Sequence, residues 1–104
     1  IDAFLVQLDS YCDLLTREIY VRLKPGKSCP SFGITIKDTV LTAALPLTMD
    51  CFMQLHNLRL ESTTAHPKSQ KTGKPTRRLK HHDFYKIRPK LIAAFDEIES
   101  NIIP

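Results

Sequence analysis

IDAFLVQLDSYCDLLTREIYVRL, residues 1–23, decides the fold class. Ile1, Leu5, Leu8, Cys12, Leu15 and Ile19 recur at alternating steps of four and three, and Phe4 and Tyr11 widen the same stripe. A period near 3.6 gathers them on one side of a helix. Asp2, Gln7, Asp9, Asp13, Thr16 and Arg17 fall largely on the other side, so the spacing predicts an amphipathic helix over 2–23 with Asp9 in solvent. Asp2 in the first turn and Arg22 and Lys24 near the end suit the helix dipole. Pro25-Gly26 stops the helix.

The rest of the chain follows the same logic. Residues 25–34, PGKSCPSFGI, hold two Pro and two Gly and read as a loop, with Phe32 and Ile34 tucked onto the core. Thr35 begins a second helix, its Thr35-Ile36-Lys37-Asp38 standing as a capping box with Asp in place of Glu. Leu41, Leu45, Phe52 and Leu55 mark one edge of its apolar face, and Ala44, Leu47, Cys51 and Leu58 the other. Pro46 removes a backbone donor in mid-helix, which leaves two options: one kinked helix, or two helices meeting near Leu45. Residues 62–82 lack apolar periodicity and are rich in Lys, Thr, Ser and Pro, the pattern of a long mobile loop. Phe84, Ile87, Leu91, Phe95, Ile98 and Ile102 then define a last helix from about Asp83 to Asn101, with Asp83 as N-cap. Pro89 lies beyond the first turn, so the regular helix starts there or bends there.

These readings give one all-α domain over 1–104, a small antiparallel bundle of three or four helices with a long basic loop before the last one. Only 3 of 104 residues are Gly, which disfavours a turn-rich all-β fold. No apolar run reaches the ~20 residues of a membrane span, and the first residues lack the basic start of a signal peptide. The first residue is Ile, which suggests an excised domain or a processed chain. Three cysteines at irregular spacing, Cys12, Cys29 and Cys51, are not a disulfide framework. Their reading as structural thiols points to an intracellular location, cytoplasmic or nuclear.

Charge is unevenly distributed. Residues 1–62 carry six Lys/Arg against seven Asp/Glu, residues 63–90 nine against one, and residues 91–104 none against three. The net +4 therefore belongs to one segment. Lys68, Lys71, Lys74, Arg77, Arg78, Lys80, Lys86 and Arg88 form the candidate partner- or polyanion-binding set, joined by Lys90. Such density attracts phosphate backbones through counterion release, and Lys74–Lys80 also fits a nuclear-localisation stretch. Phe84 and Tyr85 alone are placed to stack on bases, so sequence-specific reading of single strands is not expected.

Other chemistry is thinly represented. Asp96, Glu97 and Glu99 read as the solvated side of the last helix. No catalytic set stands out, no Cys-x-x-Cys or His pair at i, i+4 offers a metal site, and no Gly-rich phosphate loop occurs, so no cofactor is expected. Arg77 and His82, five positions apart and just before a helix, resemble the Arg-x4–6-His signature of HEPN-type helical ribonucleases. That resemblance implies an Arg and a His acting on RNA phosphodiesters across a dimer. Here Arg78 and Leu79 follow Arg77, so the polar residue that often follows the family's Arg is replaced by a second Arg.

The sequence thus favours a non-enzymatic helical interaction domain of a larger protein or assembly, binding another protein. Met49 and Met53 are candidates for lining a partner groove. A nucleic-acid-binding module using 68–90 as a phosphate clamp is the alternative, and a ribonuclease comes third.

Overall fold

A computed structural model of the chain describes residues 2–62 and 77–102. The described residues are helical, with no strand among them. The order is α1 (Asp2–Leu23), α2 (Phe32–Thr35), α3 (Thr39–Ala44), α4 (Pro46–Glu61) and α5 (His81–Asn101). The expected basic loop falls mostly outside this range: residues 63–76, with Lys68, Lys71 and Lys74, are not among the described residues.

Helix α1 has the predicted bounds but a rotated inner face. The line that is buried runs Leu5, Asp9, Cys12, Thr16 and Ile19, at steps of four and three. Leu8 and Leu15 lie beside it, half-buried. Asp9 is therefore not in solvent, as the apolar pattern suggests, but 3 % exposed. Thr16 is buried too, its hydroxyl donating to the Cys12 carbonyl at 2.7 Å, which satisfies it within its own helix. Pro25 disfavours helical backbone at the residue before it, so α1 ends at Leu23. Gly26 then takes φ +82°, a conformation that side-chain-bearing residues rarely adopt.

The segment after the turn differs from the expectation in two ways. Phe32–Thr35 is a short helical turn, not loop, and it buries Phe32 while leaving Ile34 exposed. Thr35 ends this turn and does not cap the next helix. Its hydroxyl is used up locally, within reach of the Ser31 carbonyl at 2.9 Å and the Pro30 carbonyl at 3.2 Å. The N-cap of α3 is Asp38, whose Oδ1 accepts from the Val40 and Leu41 amides at 2.9 and 3.2 Å. Asp38 Oδ2 also accepts from Lys24 Nζ at 2.9 Å, pinning the end of α1 to the start of α3.

Pro46 resolves as a boundary between two helices. Leu45 leaves helical geometry at φ −136°, ψ 65°, and Pro46 stands at the first position of α4, where its missing N–H costs nothing. Of the expected apolar face, Leu41, Leu45, Cys51, Phe52 and Leu55 are buried, Leu58 is half-buried, and Ala44 and Leu47 are exposed. Pro89, by contrast, neither starts nor divides the last helix. Helix α5 begins at His81 and continues through Pro89, which lies on the exposed side. The Tyr85 carbonyl that loses its donor there is on the exposed side, where water can replace it.

Paired contacts fix how the long helices run. Phe4 meets Phe84 and Tyr11 meets Phe95, so α1 and α5 share a direction. Thr48 meets Ala94, and Gln54 meets Lys90, so α4 runs opposite to α5. The core between them is built on Leu5, Ile19, Leu41, Met49, Phe52, Leu55, Ile87, Leu91 and Ile98, with the buried Leu79 brought in from the stretch before α5. Met49 fills the core at 1 % exposure and does not line a groove, and Met53 is half-buried against that core.

Candidate functional site

The basic segment is divided by the fold. Arg77 makes a two-pronged ion pair with Asp83, Nη1 to Oδ2 at 3.0 Å and Nη2 to Oδ1 at 2.9 Å. Its Nε lies 3.7 Å from Glu61 Oε1, and its backbone N–H donates to the Glu61 carbonyl at 2.8 Å. These bonds, with the lone bridge between Ser62 and Arg77, close the base of the 63–76 segment across the end of α4 and the start of α5. The guanidinium holds the Asp83 carboxyl well below its usual range, at about 2, and Asp83 in turn raises Arg77. Asp83 is not the N-cap: it stands three positions into α5, where its Oδ2 accepts from the Lys80 amide at 2.8 Å.

Among the described residues, the other bases of the segment are exposed but do not share one face. Arg78 and Lys80 flank the buried Leu79 in the extended stretch before α5. On α5, Lys86 and Lys90 face the α4 side, where Lys90 Nζ donates to Gln54 Oε1 at 2.7 Å. Arg88 lies two residues from each and so turns about 200° away, toward α1. His81 and His82 are both exposed at the helix start.

A polar cleft absent from the sequence reading lies between α1, α2 and α4. It has a volume of about 480 Å³. At its floor His56 Nδ1 sits 3.2 Å from Asp9 Oδ1, and Arg59 Nε is 3.4 Å from Asp9 Oδ2. The Phe32 ring stands edge-on to His56 at 5.0 Å. Arg17 and Asp13 pair at its rim at 3.2 Å. The signal for this cluster was present: Asp9 stands four residues after Leu5 and three before Cys12, on the inner line of α1. The carboxylate survives there because an Arg and a His from α4 meet it.

The third feature is the seam between α1 and α5. Phe84 and Phe95 are half-buried against the core, and over them lie Phe4, Tyr11, Tyr85 and Ile92, exposed by 48, 55, 60 and 56 %. Phe4 packs edge-on to Phe84 at 5.2 Å, and Tyr85 leans on Phe84 at 6.0 Å. Five of the eight aromatic residues stand along this seam. The other three, Tyr20, Phe32 and Phe52, are buried.

Glu97 is not a solvated acid. It reaches from α5 to the start of α4, accepting from the Leu47 and Thr48 amides at 3.2 and 2.8 Å and lying 2.8 Å from the Thr48 hydroxyl. Burial pushes the Cys12 and Cys51 thiols up to about 12 and about 11, so both remain protonated and unreactive at neutral pH. Among the described residues no three His, Cys, Asp or Glu side chains are placed to share a metal ion, and no helix is long and apolar enough to cross a membrane. No family model, curated protein or solved structure matches this chain.

Proposed function

We propose that this chain is a non-enzymatic helical-bundle interaction domain that receives a partner protein on its α1–α5 face. The observation that carries this reading is the seam itself: four large apolar side chains, each about half exposed, over a packed aromatic floor. Single exposed apolar residues are ordinary, but contiguous patches mark interaction sites. Tyr and Phe are enriched at interface cores because they bury much area for few ordered torsions. An intracellular setting, cytoplasmic or nuclear, accompanies the reading, since two of the three thiols serve as packed apolar groups.

The exposed Arg78, Lys80, Lys86 and Arg88 support the alternative, a phosphate-binding module completed by Lys68, Lys71 and Lys74. A ribonuclease stays third: Arg77, though half exposed, is committed to Asp83.

Selection of a random peptide library on the immobilised chain tests the main reading. Enriched peptides should carry aromatic and aliphatic anchors at helical spacing. Tyr11→Ala with Ile92→Ala should weaken them at least tenfold, with the thermal unfolding midpoint unchanged. Peptides that are acidic and insensitive to both substitutions would overturn it.

A further inference from the structure

Resting on the reading of the α1–α5 face as an interaction surface, we infer that its partner is a second copy of this chain, with α5 packed antiparallel on α5 about a two-fold axis at Ile92. Among the exposed residues of α5, which also include Pro89 and Ser100, Tyr85, Arg88, Ile92, Asp96 and Glu99 stand on the side away from α4, at steps of three, four, four and three. That spacing sets all five on one helical stripe. The stripe is also symmetric about its centre. Arg88 lies four residues before Ile92 and Asp96 four after; Tyr85 lies seven before and Glu99 seven after.

A two-fold interface places each residue against its mirror position. Antiparallel pairing centred on Ile92 therefore sets Arg88 opposite the second copy's aspartate at 96, twice over. It likewise sets the Tyr85 hydroxyl, a donor, opposite the carboxylate at 99. Ile92 meets Ile92 on the axis, the one position where the stripe must be uncharged. Parallel pairing would instead put Arg88 against Arg88 and Asp96 against Asp96, so the charges select the antiparallel arrangement.

The apolar part comes from both helices. Phe4 and Tyr11 on α1 meet Phe84, next to Tyr85, and Phe95, one turn after Ile92 on α5, widening the stripe into a face two helices across. Two helices of about 30 Å, each presenting a strip about 10 Å wide, give on the order of 600 Å² of face. That is the scale of one side of a standard protein–protein interface, about 800 Å².

Sedimentation equilibrium of the whole chain over a micromolar-to-millimolar range tests this inference. The chain should dimerise, while Arg88→Glu and Asp96→Arg should each weaken the dimer at least tenfold with circular dichroism unchanged. An equimolar mixture of the two variants should regain dimer, because Glu at 88 then faces Arg at 96 and Asp96 faces Arg88. A chain that stays monomeric throughout, or a dimer indifferent to both substitutions, overturns the inference. A monomer that still binds selected peptides through Tyr11 and Ile92 overturns self-pairing and leaves the interaction reading standing. A monomer that binds none through that face overturns both.

Discussion

Asp83 shows how much one side chain decides in a domain this small. Its carboxylate takes both arms of the Arg77 guanidinium and the Lys80 amide, so it fixes the start of α5 and the re-entry of the chain after residue 76. Its ionisation falls at about 2 in the folded chain against 3.8 ordinarily. Because the folded value is depressed, the stabilisation is fully present above about pH 4 and is lost as pH falls through 2. Arg77 is half exposed, which screens the pair and holds its worth to about 1 kcal/mol. Asp83→Asn should therefore cost about that much at neutral pH, and the difference from the parent chain should shrink below pH 4. Urea unfolding at a series of pH values measures it; a cost that did not change with pH would mean that the ion pair contributes nothing. Charge density along the sequence marked Arg77 as available to a partner. It could not indicate that Asp83, the one acid among those nine bases, claims it.

At the scale of elements, the instructive case is α4, which carries no side-chain cap of its own. Leu45 precedes it and offers no acceptor, and Pro46 occupies the first position. The amides of its first turn are satisfied by Glu97, which stands fifty residues away from Leu47. A carboxylate at that place also meets the positive end of the helix dipole. Glu97→Ala should destabilise the chain by about 1–2 kcal/mol, the cost of a lost N-cap, whereas Glu99→Ala should stay within about 0.5 kcal/mol. Thermal or chemical denaturation of the two variants separates them, and equal costs would remove Glu97 from this role. Spacing along α5 made the two glutamates look alike, since an amphipathic pattern ranks residues only as inner or outer. It carries no information on which neighbouring helix end an outer residue meets. The same limitation places Asp9 in solvent, whereas Asp38 stands close to where it acts, as part of a cap, and Pro46 leaves open a kink or a boundary, of which the structure has the boundary.

For the whole molecule, the arrangement of charge bears on the choice between partners. Arg88 turns toward α1 while Lys86 and Lys90 turn toward α4, so α5 offers a phosphate backbone no single basic face. Any affinity for nucleic acid should then rest on few contacts and have a shallow salt dependence. With Arg78, Lys80 and one flank of α5 engaged, the slope of log K against log salt for duplex DNA should be no steeper than about −3.6, at −0.9 per contact. A steeper slope that flattens when Lys68, Lys71 and Lys74 are neutralised would favour the phosphate-clamp reading over the apolar seam.

The sequence alone determined the local and periodic properties of this chain. The bounds of α1, an interruption at Pro46, the end of α4 and the apolar line of α5 follow from side-chain spacing and backbone chemistry, which act over a few residues. Tertiary structure decided which of the possible inner faces of α1 is buried, and with it the Asp9–His56–Arg59 cluster. It also decided that Glu97 caps a helix remote in sequence, that Arg77 is bound within the chain, and that α1 and α5 lie side by side with their aromatics in one seam. Each of these depends on contacts between residues six to 84 positions apart, and no periodicity along a single helix encodes where a second helix will bring its partners.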